Sequence, residues 1–402
     1  MKRILLSLLA ALLIAPCPRA QADTKFGDDV AFLKQHVGVV VLQKGDAQLA
    51  VIPKYQCRAM TSTAAGDDGT SYGWVNRELI ESGQIRPHIN VFGGEDRFWL
   101  GPEGGQYALF FKSGSPFDLE HWQTPAPMDS EAFDVVKQTA DSIICNKKIH
   151  LVNFSNTVFD LEVARQVELR DPAVVVKSLG VDLPANVKAV AFSTTNTIRN
   201  TGKAAWTKKG GLVSIWVLGM FNATPKTTVV VPYQRGSVAE KGVVVHDAYF
   251  GKVPSDRLID DDGALMFKAD ANFRSKIGVP PKRARNVMGS YDAVTQTLTL
   301  VTFTLPGNTT SYVNSMWEIQ KSPYGGDVAN AYNDGPPKPG VKQLGQFYEL
   351  ESSSPALALA PGQSATHVQT TIHLQGKPED LDGVAVAVLG RGIEKITSKF
   401  GN

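Results

Sequence analysis

Residues 287–304 read VMGSYDAVTQTLTLVTFT. Val, Thr, Leu, Tyr and Phe dominate the run, and such residues fit a pleated, half-buried surface. Two strands are expected from it, at 287–291 and 297–304. The same signature recurs on both sides. Upstream, 142–146, 149–153 and 160–169 read as a meander, 187–196 and 212–220 as core strands, and 227–232, 242–248 and 264–269 as further strands. Downstream come 316–320, 344–351 and 367–375. Nearer the start, a short amphipathic helix at 28–36 precedes strands at 37–42 and 47–52. A short helix is also expected near 380–389. Many short strands with turn signals between them predict an all-β chain, a large antiparallel sandwich with few helices.

The chain has 402 residues, with 41 Lys and Arg against 39 Asp and Glu, a net charge of +2. That balance gives no support for nucleic-acid or anionic-membrane binding. Met1-Lys2-Arg3 precedes the apolar run LLSLLAALLIA, and Ala20-Gln21-Ala22 fits a small-x-small cleavage pattern. A cleaved signal peptide is expected at 1–22, followed by one domain at 23–402. The product would be periplasmic or secreted, and monomeric. The apolar run is too short to span a bilayer, and no other stretch could. Cys17 raises a lipoprotein reading, but Pro16 stands where a small residue is expected. Cys57 and Cys145 remain, as one disulfide of an exported protein or as two buried thiols.

Residues 312–355 mix aromatics, amides and carboxylates, and 322–345 carries too many Gly, Pro, Asn and Asp for a helix or a central strand. It reads as a long loop between two strands. Loops of that length are uncommon in a compact domain, and function concentrates on them. Aromatic faces cover C–H surfaces while amides and carboxylates bond hydroxyls, so the segment suits a sugar. The alternative is a loop that only closes one end of the sandwich.

Three further motifs point to a family. Gly93-Gly94-Glu95-Asp96-Arg97-Phe98-Trp99 runs into Gly101-Pro102-Glu103. Residues 190–219 hold Asn196-Thr-Ile-Arg-Asn200 and Trp206. Phe347-Tyr-Glu-Leu-Glu351 is followed by Leu359-Ala-Pro-Gly362. Together they resemble the galactose mutarotase-like (aldose 1-epimerase-like) supersandwich superfamily, and within it a secreted family of unknown function. The resemblance implies the supersandwich fold. It also implies a Glu base on the late strand, where Glu351 stands, and a His acid on a central strand. The matching strand at 212–220 has Trp216 and no His. His246, from a neighbouring strand, is the candidate acid.

Glu349 and Glu351 alternate on an expected strand and share one face. Two such carboxylates can split their pKa values into an acid and a base, as glycoside chemistry needs. The other reading is one functional and one solvated Glu. Glu95, Asp96, Arg97 and Glu103 would line a cleft from the Gly-rich hairpin, or an Arg–Glu ion pair would hold it. Trp99 and Trp317 are candidate sugar platforms. Asn314, Glu318, Gln320, Tyr324, Asn333, Asp334 and Tyr348 complete the expected substrate-binding set. Residues 270–285 hold several bases, which read as a solvated loop or as ligands for a uronate or sulfate. No cofactor is expected beyond a weak divalent-cation candidate at Asp327 and Asp334. No zinc motif, phosphate loop or nucleophile elbow is present. The expected function is binding of a mono- or oligosaccharide, with acid–base chemistry of epimerase, lyase or glycoside hydrolase type. The alternative is a non-catalytic glycan-binding or envelope interaction protein.

Overall fold

Antiparallel pairing gathers the strands into sheets of ten, five and three. The computed structural model describes residues 24–400. The expected leader at 1–22 and Cys17 therefore lie outside the described residues. The large sheet is built around the long strands Val158–Arg170, Lys188–Asn200 and Ser364–Gln375. The middle sheet, called the cleft sheet below, runs Ser275–Val279, Ala329–Asn333, Phe347–Ser353, Ser214–Asn222, Arg97–Gly101 across its width. The small sheet carries the helix Phe26–His36 through Phe26, Val30 and Leu33.

Alternation decides which layer each residue joins. On the large sheet, Leu298, Leu300, Ile372 and Leu374 face outward under the helix Pro378–Leu389, meeting Leu381, Val384, Ala385, Val388 and Leu389. That helix opens on Pro, which has no N–H to waste there, and stops at Gly390 with φ 72°. Toward the cleft sheet, Phe98, Leu100, Ile215 and Val217 pack on Ile143, Val163 and Phe192. The result is a large antiparallel β-supersandwich with a few short helices.

A polar seam runs between the two sheets. Arg165 and Asp96 are fully buried and pair at 2.5 Å. Asp96 also accepts from Thr194 at 2.9 Å and Gln369 at 3.2 Å. Arg165 donates to the Cys57 carbonyl at 3.1 Å and to Asn196. Farther along, His367 contacts Ser352 at 2.8 Å and His373 contacts Glu95 at 2.8 Å. Cys57 and Cys145 are buried free thiols. They touch, and the contact with Cys145, together with burial, holds the Cys57 thiol well above its usual range.

Four expectations need correction. The 322–345 segment is not all loop: Ala329–Asn333 is a strand inside the cleft sheet, paired on both sides. Its small Ala329 and Ala331 fill the inner core, so tertiary pairing overrides a loop-like composition. Residues 316–320 form no strand. Residues 242–248 contribute only a bridge between His246 and Gly278. The expected strands 142–146 and 149–153 are one, Ser142–Val152.

Close approach also explains one glycine. A Cβ at Gly326 would collide with the Val313 carbonyl. Gly326→Ala is expected to cost about 1–3 kcal/mol, read by denaturant unfolding. An unchanged midpoint would show that this turn yields freely.

Candidate functional site

One face of the cleft sheet points away from the large sheet. Period-two geometry puts Arg97 and Trp99 there, with Trp216, Leu218 and Met220, then Glu349 and Glu351, then Tyr332, then Lys276. Loops add Glu103, Trp122, Phe250, Arg274, Trp317 and Asp334. They enclose a cavity of about 290 Å³.

Glu351 lies at the floor, with no exposed surface. Lys276 Nζ binds both of its oxygens, at 2.9 and 2.8 Å. The Trp216 indole N–H donates to it at 3.0 Å. Lys276 also sits 4.9 Å from the Trp216 ring centre. Glu349 is 7% exposed and accepts from Arg97 Nη2 at 2.7 Å. The Arg97 guanidinium stacks 4.4 Å over Trp99, and its buried Nε has no partner. Trp99 is held by its own N–H, which donates to the Met128 carbonyl at 3.0 Å.

Burial pushes Glu349 up to about 7; Arg97 pulls it down, and Glu351 raises it through charge and a shared hydrogen bond. Two carboxylates in hydrogen-bond contact need a proton between them. Burial likewise pushes Glu103 up to about 7, with Lys276 pulling it down, Glu351 raising it and a bond from Trp317 lowering it. Trp317 stacks on Trp122 at 5.8 Å and meets Phe111 edge-on at 5.1 Å.

The far wall is built differently. The Tyr332 hydroxyl donates to Asp334 at 2.7 Å, and the Gly345 N–H donates to the other Asp334 oxygen at 2.7 Å. Burial raises the Asp334 carboxyl. Arg274 Nε donates to the Tyr332 oxygen at 3.3 Å, and the guanidinium lies 3.9 Å over Phe250.

Of the expected site residues, Arg97, Trp99, Glu103, Trp317, Asp334, Glu349 and Glu351 meet in this cleft. The others do not. Gly93 and Gly94, at φ 97° and 112°, turn the chain so that Glu95 enters the space between the sheets. Tyr348 has the opposite parity to its neighbours and bonds Ser290 at 2.6 Å on the inner face. Asn333 accepts from the Ala271 N–H at 2.8 Å and donates to the Phe273 carbonyl at 2.9 Å. Asn314 and Gln320 tie their own loop together, Gln320 through the carbonyls of Asn314 and Met316. Glu318 is exposed. The Tyr324 hydroxyl donates to the Lys208 carbonyl at 2.8 Å. His246 binds Asp327 at 2.9 Å, and Tyr249 donates to the same Asp327. His246 is not among the residues that line the cleft. Asp327 and Asp334 are engaged by protein donors. Among the described residues, no group of three or more His, Cys, Asp or Glu side chains is placed to hold a metal.

Sequence reasoning named Arg274 and Lys276 only among the bases of 270–285 that read as a solvated loop or as uronate or sulfate ligands, held Tyr332 only as part of the 312–355 segment, and missed Trp122, Trp216 and Phe250 as cleft residues. One signal existed: Lys276 interrupts an otherwise small and apolar strand, Ser275–Val279. A Lys this deeply buried needs a carboxylate, and Glu351 is that carboxylate.

The Glu349 shift has a stability consequence. Its folded pKa of about 7 exceeds the unfolded value of about 4.3. The stability it contributes is present below the unfolded value and is lost as pH rises through about 7. Glu349→Gln is expected to flatten that decline, on the order of 1–3 kcal/mol between pH 4.5 and 8. Denaturant midpoints across pH check this; an unchanged slope would mean that Glu349 titrates normally.

Residues 24–400 match the Family of unknown function (DUF6786). Among solved structures, the fold is similar to that of a candidate aldose 1-epimerase from Escherichia coli K12, with a TM-score of 0.50 and 12% identity over 83% of this chain and 98% of that one. A galactose mutarotase-like protein from Lactobacillus casei ATCC 334 gives a TM-score of 0.48 and 11% identity, over 84% of this chain and 100% of that one. A candidate mutarotase from Salmonella typhimurium gives 0.46 and 10%, over 84% and 90%. No curated protein matches. At these identities the likeness is one of fold.

Proposed function

This chain belongs to the DUF6786 family of unknown function and has the galactose mutarotase-like fold; from that premise we propose that its cleft binds a carbohydrate and moves a proton on it. The observation that carries this is the Glu349–Glu351 pair on one strand face, with Arg97 on the first and Lys276 and Trp216 on the second. Tryptophan faces suit the C–H surface of a sugar ring. Lys276 and Trp216 orient Glu351 as the base. Glu349 and Glu103, both near 7, are matched to give or take a proton at neutral pH.

A second reading rests on a specific observation. Glu349 and Glu351 each already hold a salt bridge, which suits a rigid glycan-binding cleft without turnover. We also read the protein as exported, on the pattern of its first 22 residues.

The test is a thermal-shift screen of the mature protein against mono- and oligosaccharides, with Glu351→Gln in parallel. A ligand of the native state raises the midpoint by mass action. Each hit is then incubated and its products are resolved by NMR. Turnover that falls roughly 100- to 10,000-fold in the variant supports proton transfer. A shift without turnover supports binding alone. No shift with any sugar would sink the cleft reading.

A further inference from the structure

Four Arg and Lys side chains line the cleft, and three are already matched, Lys342 to Glu78 at 3.4 Å where both are exposed. Arg97 pairs with Glu349 at 2.7 Å and Lys276 with Glu351 at 2.8 Å. Arg274 is different. Among the described residues no carboxylate lies within salt-bridge distance of it. Among the described residues its side chain makes one hydrogen bond, the Nε contact to Tyr332. Phe250 supports the flat face of the guanidinium at 3.9 Å. Tyr332 is itself fixed, because its hydroxyl is committed to Asp334. Asp334 is the nearest acid on that wall, and its two oxygens are occupied by Tyr332 and Gly345.

The guanidinium is therefore held in plane by a ring below and one N–H behind. Its two terminal nitrogens have no hydrogen-bond partner among the described residues, which leaves them available as a fork. Such a fork matches a planar carboxylate with two parallel hydrogen bonds. Stacking on an aromatic face lowers the entropy lost when that contact forms. The neighbouring walls give the rest of the recognition: Trp and Phe faces for a ring, and Glu103 and the paired glutamates for hydroxyls.

We propose that the cleft takes an acidic sugar, a uronate, whose carboxylate docks on Arg274 while its ring lies toward Glu349 and Glu351. The assignment rests on the carbohydrate reading above and narrows it to a substrate class. It also fits the charge of the site. Burial keeps Glu103, Glu349 and Asp334 easier to protonate than free carboxylates, so the cations of the cleft are not fully cancelled.

The experiment is isothermal calorimetry with matched ligands. Galactose, galacturonate and methyl galacturonate are compared, with the glucose series beside them and the corresponding trisaccharides. Wild type, Arg274→Lys and Arg274→Gln are run in low salt, after thermal unfolding shows that each is folded. Wild type is expected to prefer the free acid over its methyl ester by roughly 10- to 100-fold. Arg274→Gln is expected to erase that preference while keeping weak binding of the neutral sugar. Arg274→Lys is expected to keep only part of it, since an ammonium lacks the fork. If Arg274→Gln does not fold, the partial loss in Arg274→Lys carries the test. Equal affinity for acid and ester, or a preference that survives in both variants, would overturn the uronate assignment and leave the cleft reading standing. Binding of no sugar, neutral or acidic, would overturn both.

Discussion

Arg165→Met is expected to lower stability by about 3–5 kcal/mol, the usual cost of stranding one member of a buried ion pair. Arg165 and Asp96 have no exposed side-chain surface. Losing the guanidinium leaves Asp96 with only Thr194 and Gln369 as donors. It also strips Asn196 and the Cys57 carbonyl of a partner. Burial already raises the Asp96 carboxyl, with Arg165 pulling the other way. Without Arg165 the raised value climbs further, and stability falls more steeply as pH rises toward neutral. Removing both charges with Asp96→Leu and Arg165→Met should cost less than the single change, because no charge is stranded. Guanidinium unfolding of the three variants at pH 5 and 7 measures this. A loss below about 1 kcal/mol in the single variant would mean that water reaches the seam.

Lys276→Met should act on both stability and chemistry. It removes the contacts to both Glu351 oxygens and leaves the Trp216 N–H as the remaining donor. A stranded buried carboxylate again costs about 3–5 kcal/mol. Lys276 also pulls down Glu103 and Glu349, so its loss should move both above about 7. The pH dependence of cleft tryptophan fluorescence, or of ligand affinity, should then shift to higher pH. Trp216 and Trp99 lie beside these groups and report directly. A profile that stays in place would show that Lys276 is not the cation that sets the cleft's titration.

These two residues also show what a sequence can reveal. The β-rich runs were legible because strand propensity and turn signals are local, and strands such as Ala47–Ile52 and Thr227–Pro232 were read to the residue. Glu349 and Glu351 were legible for the same reason, since alternation alone places both on one face. Lys276 was legible only as one of several bases in 270–285, because its pairing depends on a carboxylate 75 residues away. Asn330 and Tyr332 were hidden in a segment whose composition says loop, and only pairing with two distant strands makes it a strand. Glu95 shows the opposite failure. It sits beside Arg97 in sequence, but a two-glycine turn sends it into the interior. His246 looked like an acid near the base and is instead bound to Asp327.

The Arg97–Glu349 contact joins residues 252 apart in the chain. Lys276 and Trp216 must also arrive before the floor exists. Such distant closures make a slow search, since loop entropy is lost before any contact repays it. We therefore expect the cleft to close late in folding, and a nascent chain has no cleft until residue 351 has been made. A cleft-directed ligand added during refolding should leave the early phases unchanged and alter only the last one. Ligand capture then becomes a clock for completion of the fold, with the apolar faces of both sheets at risk of aggregation until it stops.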